Sequence, residues 1–324
     1  MKKTIARIGS LIMLLATGLA APLTKTAEDS VSGDYLGQPP PGATPEVFAR
    51  GIVSKEDTNE HMAPSFSPDG NEVFWWANRW PDPGPALSMM MRRENGRWSA
   101  PRPTPFKAIM PAFSPDGHRA CFYAFTPGPA LSQEGQSHLD IWVVEKQGDA
   151  WSEPKCLNLV DRYPELRTAF MPRLTRNGTL YFIAYTPGPR DAGIFRAELI
   201  NGEYAKPELL PRCINLPPFL NWAPFIARDE SYLLFSSNRT GSLDKYGDIY
   251  ISRRRADWSW TEPVSLGAPV NTPQQEVFPG VSPDGKYLFF CRYTPGRKND
   301  VDWVDAASIP ALRAATNHQQ ENQK

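Results

Sequence analysis

The sequence predicts an all-β fold: a β-propeller of five four-stranded antiparallel blades, closed by an N-terminal strand. Three observations carry this. A short phrase returns five times, as Ala63-Pro-Ser-Phe-Ser-Pro-Asp-Gly70, Met110-Pro-Ala-Phe-Ser-Pro-Asp-Gly117, Met171-Pro-Arg-Leu-Thr-Arg-Asn-Gly178, Ala223-Pro-Phe-Ile-Ala-Arg-Asp-Glu230 and Phe278-Pro-Gly-Val-Ser-Pro-Asp-Gly285. Its leading prolines lie 47, 61, 52 and 55 residues apart, the period of a repeat array. A short, continuous, aromatic-rich run follows each copy, the pattern of a strand buried on both faces.

Four strands follow in order within each unit. The phrase opens with a short first strand and ends in a tight turn. In Ser67-Pro68-Asp69-Gly70 the proline pre-sets φ, the aspartate bonds its own backbone, and the glycine accepts a left-handed conformation. The second strands are Val73–Trp76, Ala120–Tyr123, Leu180–Ile183, Leu233–Ser236 and Leu288–Cys291. After a longer loop come third strands at Leu87–Met91, Asp140–Val144, Gly193–Ala197, Asp248–Ser252 and Asp300–Val304. A polar turn leads to fourth strands marked by Trp or Tyr and Pro, at Trp98–Pro101, Trp151–Pro154, Tyr204–Pro207 and Trp260–Pro263. Proline suits an edge strand, where no ladder donor is missed.

The fifth unit stops after its third strand. Pro45–Ser54 has the rhythm of Pro263–Val270 and is expected to supply the missing outer strand, closing the ring. A sixth blade is the alternative, and only the 61-residue interval leaves a loose place for it. A lone blade cannot bury two apolar faces, whereas blades packed radially can.

Residues 1–20 read as a cleaved secretory signal: Lys2, Lys3 and Arg7, an apolar core from Ile8 to Leu19, then small residues. That core is too short for an ordinary membrane span, so a periplasmic or secreted protein is expected. Without those three cations the chain has 32 basic and 35 acidic side chains, which gives no electrostatic case for nucleic acid. Residues 21–43 read as linker, 44–306 as the propeller and 307–324 as a loose tail. The run Arg253-Arg254-Arg255 is expected on a solvated turn. No cysteine pair has metal spacing. Cys121 and Cys291 are expected to pack as small apolar residues, and Cys156 and Cys213 stand in similar settings where a disulfide is conceivable.

The Ala/Met-Pro-x-Phe-Ser-Pro-Asp-Gly phrase, followed by an aromatic strand and a later Asp-Ile-Tyr or Asp-Ile-Trp, resembles the WD40-like PD40 repeat of the TolB-like propeller family. Copies at Pro64, Pro111 and Pro279 match well. Those at Pro172 and Pro224 replace Ser-Pro-Asp with Thr-Arg-Asn and Ala-Arg-Asp. The resemblance implies a propeller over about residues 44–306. It also implies one of several roles: binding an envelope protein, serving as accessory domain of a serine peptidase, or metal-dependent lyase chemistry. No Gly-x-Ser-x-Gly elbow is present, so the peptidase role falls.

A site is expected on the face carrying the long loops 78–86, 126–138, 186–192, 238–247 and 294–299, opposite the tight turns. Residues three and four places before each leading proline should ring the channel mouth there: Glu60, His61, Lys107, Ala108, Thr168, Ala169, Leu220, Asn221, Gln275 and Glu276. Arg173 is added because its counterparts Ser65, Ala112 and Gly280 are small, and a guanidinium there would either bind a carboxylate or phosphate or pair with Glu60 or Glu276. Trp80 and Trp222 border the same face and would stack on a sugar or peptide. Glu60 and Glu276 as an acid/base pair, or His61 as a metal ligand, would make an enzyme acting on glycans. His118 is expected on the far face, and His138 alone completes no three-histidine site. The reading is a monomeric, non-catalytic propeller without metal or cofactor that binds an envelope protein or a glycan; a carbohydrate hydrolase or lyase is the alternative.

Overall fold

The computed structural model describes residues 31–81, 87–127, 137–187, 192–239, 241–242, 247–294, 296 and 298–313; the expected signal segment lies outside them. The described residues form five small antiparallel sheets in a ring, the expected five-bladed propeller. The first strands run along the channel: Thr58–Glu60 with Ser65–Phe66, then Ile109–Phe113, Thr168–Leu174, Asn221–Ile226 and Gln275–Val281. The last blade is completed by Glu46–Val47, which pairs with the third strand through Glu46↔Trp303 and Val47↔Asp302. No sixth blade is needed. The long second interval is taken up by an eleven-residue third strand, Ser137–Gln147, and a short helix, Leu159–Arg162.

The turns form as their residues dictate. In the first, Gly70 N–H donates to the Ser67 carbonyl at 2.9 Å, Ser67 Oγ accepts from Glu72 N at 2.8 Å, and Gly70 has a φ of 69°. The fourth copy ends in Glu230 instead, held at a φ of 62°. Its carboxylate compensates: it is buried and accepts from Tyr181 Oη and Arg254 Nη2, each at 2.6 Å.

This corrects the expected solvated basic turn for Arg253 and Arg254, which are half-buried, while Arg255 is exposed. Arg254 lies 4.4 Å over the Trp260 ring and pairs with Glu230. Arg253 donates to the Ala311 carbonyl at 2.5 Å and Arg255 to that of Trp260 at 2.7 Å. The matching place between the first two blades holds buried Glu72, which accepts from Lys146 Nζ at 2.7 Å.

The fourth strands differ from expectation. Trp98 pairs with Arg93 as the end of a hairpin, and the ladder resumes only after Pro101, with Met90↔Arg102. The two segments are out of register by one residue. The same slip occurs in the next three blades. It leaves one third-strand N–H unpaired by backbone, and the hydroxyl after the aromatic residue takes it. Arg92 N donates to Ser99 Oγ at 3.1 Å, Glu145 N to Ser152 Oγ at 3.0 Å, and Arg253 N to Thr261 Oγ1 at 2.9 Å. The third blade has Ala205 there and lacks that acceptor.

Five apolar clusters fill the five seams between neighbouring blades. Cys121 and Cys291 are fully buried in them, and all four cysteines are free thiols, so Cys156 and Cys213 are not bridged. The closing seam is aromatic: Phe48 lies 5.0 Å from Phe289 and 5.1 Å from Trp303. Within the expected linker and tail, the described residues nearest the ring pack against it. Tyr35 packs edge-on against Phe66 and Tyr287, and Trp98 Nε1 donates to the Gly33 carbonyl at 2.8 Å. At the other end Ile309 and Leu312 are buried against the fourth and fifth blades.

Two substitutions test these readings by urea denaturation. Phe48→Ala empties a fully buried site in the closing seam and is expected to cost about 3–5 kcal/mol. Ala205→Ser supplies the missing acceptor and is expected to stabilise by roughly 1 kcal/mol. An unchanged midpoint in the first, or a lower one in the second, contradicts the corresponding reading.

Candidate functional site

The first strands share a device that decides what faces the channel. In four of them the residue before the leading proline has positive φ: Met110 at 51°, Met171 at 53°, Ala223 at 49° and Phe278 at 56°. The ladder slips there by one residue, a β-bulge. Side chains on either side of the bulge, such as Phe170 and Arg173, therefore share a sheet face that strict alternation would deny them.

On the loop side the channel is filled by rings from every blade: His61 and Trp76, Tyr123, Phe170, Trp222, then Phe278 and Tyr293. His61 Nδ1 lies 2.6 Å from Tyr293 Oη, and its ring centre is 5.5 Å from that of Trp76. Burial lowers the His61 pKa. Trp222 packs edge-on against Phe278 at 5.1 Å.

The polar residues expected to ring this mouth occupy several different settings. Glu276 is fully buried, accepting from Thr272 N at 2.8 Å, Thr272 Oγ1 at 2.6 Å and Arg292 Nε at 2.9 Å. Arg292 also pairs with Asp302 and donates to the Val270 carbonyl at 3.2 Å. Asn221 is buried beside Arg239, whose Nη2 reaches Asn221 Oδ1 and the Ile214 carbonyl, both at 2.8 Å. Arg239 and Arg292 thus clamp the connection arriving from the preceding blade. No periodicity in the sequence marked either one. Thr168 Oγ1 accepts from Tyr185 N at 3.2 Å, Gln275 is half-buried, and Lys107 is exposed.

Glu60 is different. It is fully buried, Oε1 accepts from Thr58 Oγ1 at 2.5 Å, and Oε2 has no hydrogen-bond partner among the described residues. Burial pushes its pKa up to about 8, against the pull of Thr58 and Lys298. Beside it a groove of about 1010 Å3 runs along the closing strand, lined by Glu46, Arg50, Trp80, Lys298 and Asp300.

Arg173 does not join these groups. It lines a cavity of about 110 Å3 at the opposite mouth, together with Ser114 and Ser282 of the tight turns and with Arg228. It pairs with neither Glu60 nor Glu276.

The loop-side rim carries exposed apolar groups: Phe125 at 64% exposure, Leu220 at 52%, Tyr185 at 49% and Trp80 at 37%. Tyr185 stacks on Phe170 at 5.6 Å, and Phe170 meets Tyr123 of the preceding blade at 5.9 Å. Phe125 and Phe170 were not singled out from the sequence, because each extends an apolar run that reads as core. His118 is exposed beside its turn. His138 is buried, with Nε2 3.7 Å from Asp140 Oδ2, while Asp140 accepts from the backbone N–H of Ile141 and Val160. Among the described residues no three His, Cys, Asp or Glu side chains are grouped to hold a metal, and no helix is long and apolar enough to cross a membrane.

Neither a protein-family model nor a curated protein matches the chain. Solved structures do. A thermostable family-43 glycoside hydrolase is 15% identical, with a TM-score of 0.50 over 78% of this chain and 90% of its own. A protein assigned as TolB from Agrobacterium tumefaciens is 17% identical, TM-score 0.47, over 76% and 77%. An endo-arabinase from Bacteroides thetaiotaomicron is 13% identical, TM-score 0.48, over 78% and 96%. Propellers that act on glycans and TolB propellers are thus both among the neighbours, and identities this low show the fold alone.

Glu60 gives a pH prediction. Its folded pKa lies above the unfolded value, so between about pH 4.5 and 8 the native state holds a proton that the unfolded state has released. Its contribution to stability is therefore lost as pH rises through that window, by at most about 1.4 kcal/mol per pH unit. Urea midpoints at pH 5, 6.5 and 8 should converge or cross between wild type and Glu60→Gln, with the variant gaining relative stability at the alkaline end. Parallel profiles would rule out a protonated Glu60.

Proposed function

We propose that this chain is an exported, PD40-type binding propeller of the bacterial envelope that acts as a monomer and holds a glycan or protein partner on its loop-rich face, without catalysis. The observation that carries the reading is the aromatic rim. Phe125, Tyr185 and Leu220 are exposed on three successive blades, and Tyr185 is braced from behind by Phe170. A rigid ring with an open face suits stacking on a sugar or on an apolar side chain at low entropic cost.

The arrangement of the carboxylates speaks against turnover. An acid/base pair must reach the scissile bond within hydrogen-bond distance. Glu60 and Glu276 have no exposed surface, and both oxygens of Glu276 are engaged by Thr272 and Arg292. The envelope location rests on the charged start and apolar core of residues 1–20 together with the repeat phrase.

The test begins with a panel of soluble oligosaccharides in a thermal-shift and calorimetric screen, with and without chelator, on wild type, Tyr185→Ala and Phe125→Ala. A bound glycan whose affinity falls at least tenfold in either variant, with the melting temperature kept, supports the reading; tenfold corresponds to about 1.4 kcal/mol. If no glycan binds, the same three proteins are used as bait in envelope extracts. A partner held by wild type and lost by Tyr185→Ala supports it equally. Equal capture by all three, or chelator-sensitive turnover of a polysaccharide, sinks it.

A further inference from the structure

The tight-turn mouth of the channel presents a different chemistry. Its cavity of about 110 Å3 is lined by the first strands and turns of all five blades, and no Asp or Glu side chain is among the lining residues. Two arginines are: Arg173 from the third blade and Arg228 from the fourth. Among the described residues neither makes an ion pair. Arg173 Nη1 donates only to the Pro172 carbonyl, at 2.9 Å. Asp284 lies close enough to attract Arg228, but its carboxylate is held by Ser282 Oγ at 2.6 Å, Tyr35 Oη at 2.8 Å and Lys286 Nζ at 3.1 Å. Burial lowers the pKa of both guanidiniums, and Arg176 adds like-charge repulsion on Arg228.

Arginine does not escape this setting by losing its proton. Both side chains are half-buried, and a partly desolvated charge without a counter-charge is costly, so natural folds pair it or give it a ligand. The neighbouring positions show what the ring would otherwise carry: the counterparts of Arg173 are Ser65, Ala112, Phe225 and Gly280. Close packing alone therefore does not call for a cation. Ser65 Oγ already accepts from Phe113 N at 3.0 Å, which leaves its proton for a ligand.

We propose that this mouth is a binding site for a small tetrahedral oxyanion, phosphate or sulfate, held by Arg173 and Arg228 with Ser65 as a further donor. The planar fork of a guanidinium matches two oxygens of such an anion. The cavity has a few waters' worth of space, taking roughly 30 Å3 for each. That suits one such anion. The site lies on the face opposite the aromatic rim, so its failure would leave the reading of that rim untouched.

The test is isothermal calorimetry of inorganic phosphate, and separately of sulfate, into the mature protein at constant ionic strength set with chloride. Calorimetry is preferred because both anions stabilise proteins non-specifically at high concentration. Wild type should bind one equivalent saturably. Arg173→Met should lose at least tenfold in affinity while its melting temperature in anion-free buffer stays equal or rises, since an uncompensated charge has been removed. That rise separates a ligand site from a structural role, because a structural arginine would lower the melting temperature when removed. If Arg173→Met does not fold, Arg228→Gln carries the test, with a weakened phosphate isotherm expected. Absence of saturable binding to wild type, unchanged affinity in the folded variants, or a large loss of melting temperature in both variants would each overturn the proposal.

Discussion

Each blade of this ring has two apolar faces, and neither can be covered from within the blade. Val73 and Phe74, neighbours on one strand, illustrate it: both are fully buried, the first toward the last blade and the second toward the next. Only a closed circle gives every face a partner. The last seam is therefore the one on which the others depend, because it joins residues nearly the whole chain apart. Two rungs between Glu46–Val47 and the third strand of the last blade would be a weak clasp on their own. The clasp is reinforced by Phe48, Phe66, Phe289, Trp303 and Tyr35, which meet at that place. Burial of aromatic area, more than ladder hydrogen bonds, holds the ring shut.

Polar groups then fix how the blades sit. Apolar seams are not directional, and a sheet could slide along its neighbour. Glu72 with Lys146, and Glu230 with Tyr181 and Arg254, put buried charge-assisted contacts across two seams at the turn side. Arg239 and Arg292 do the corresponding work at the loop side by gripping carbonyls of the incoming connection. Buried pairs of this sort add little net stability, but breaking one partner is costly, so they penalise wrong registers.

Much of the architecture was legible in the sequence because it follows from local chemistry. The Ser-Pro-Asp-Gly turns need their residues for steric reasons, and the aromatic runs have the length and composition of doubly buried strands. The displaced outer strand was found by its rhythm alone. Other features were hidden because they depend on pairing between distant residues. The slip after Trp98 shows only when the third strand is laid beside it, although the serine that satisfies it stood in plain view. Arg254 looked solvated because its partner Glu230 occupies a position where the repeat elsewhere has glycine. Glu60 and Glu276 were expected to face the channel, but their carboxylates sit within the seams among groups from the same blade and the last.

The misplacement of Arg173 has the most instructive cause. Grouping Arg173 with the loop-side residues rests on the small size of its counterparts, which does not say at which level of the strand it stands. Arg173 stands beyond the positive-φ bulge at Met171, on the same sheet face as Phe170 but farther along the strand, and so lines the tight-turn mouth. The same bulge in four blades divides the channel into two unlike halves. Above it the strands contribute rings that close the passage from the loop side. Below it they contribute small residues in three blades, which leave room, and one arginine, which uses it. A fold selected for stability alone would gain by replacing that arginine with an apolar side chain, since the desolvation it suffers is met by no carboxylate. Retaining a cation at the narrow end of a ring whose other four positions at that level are uncharged is therefore a cost that packing does not explain, and a bound anion supplies the missing half of the interaction.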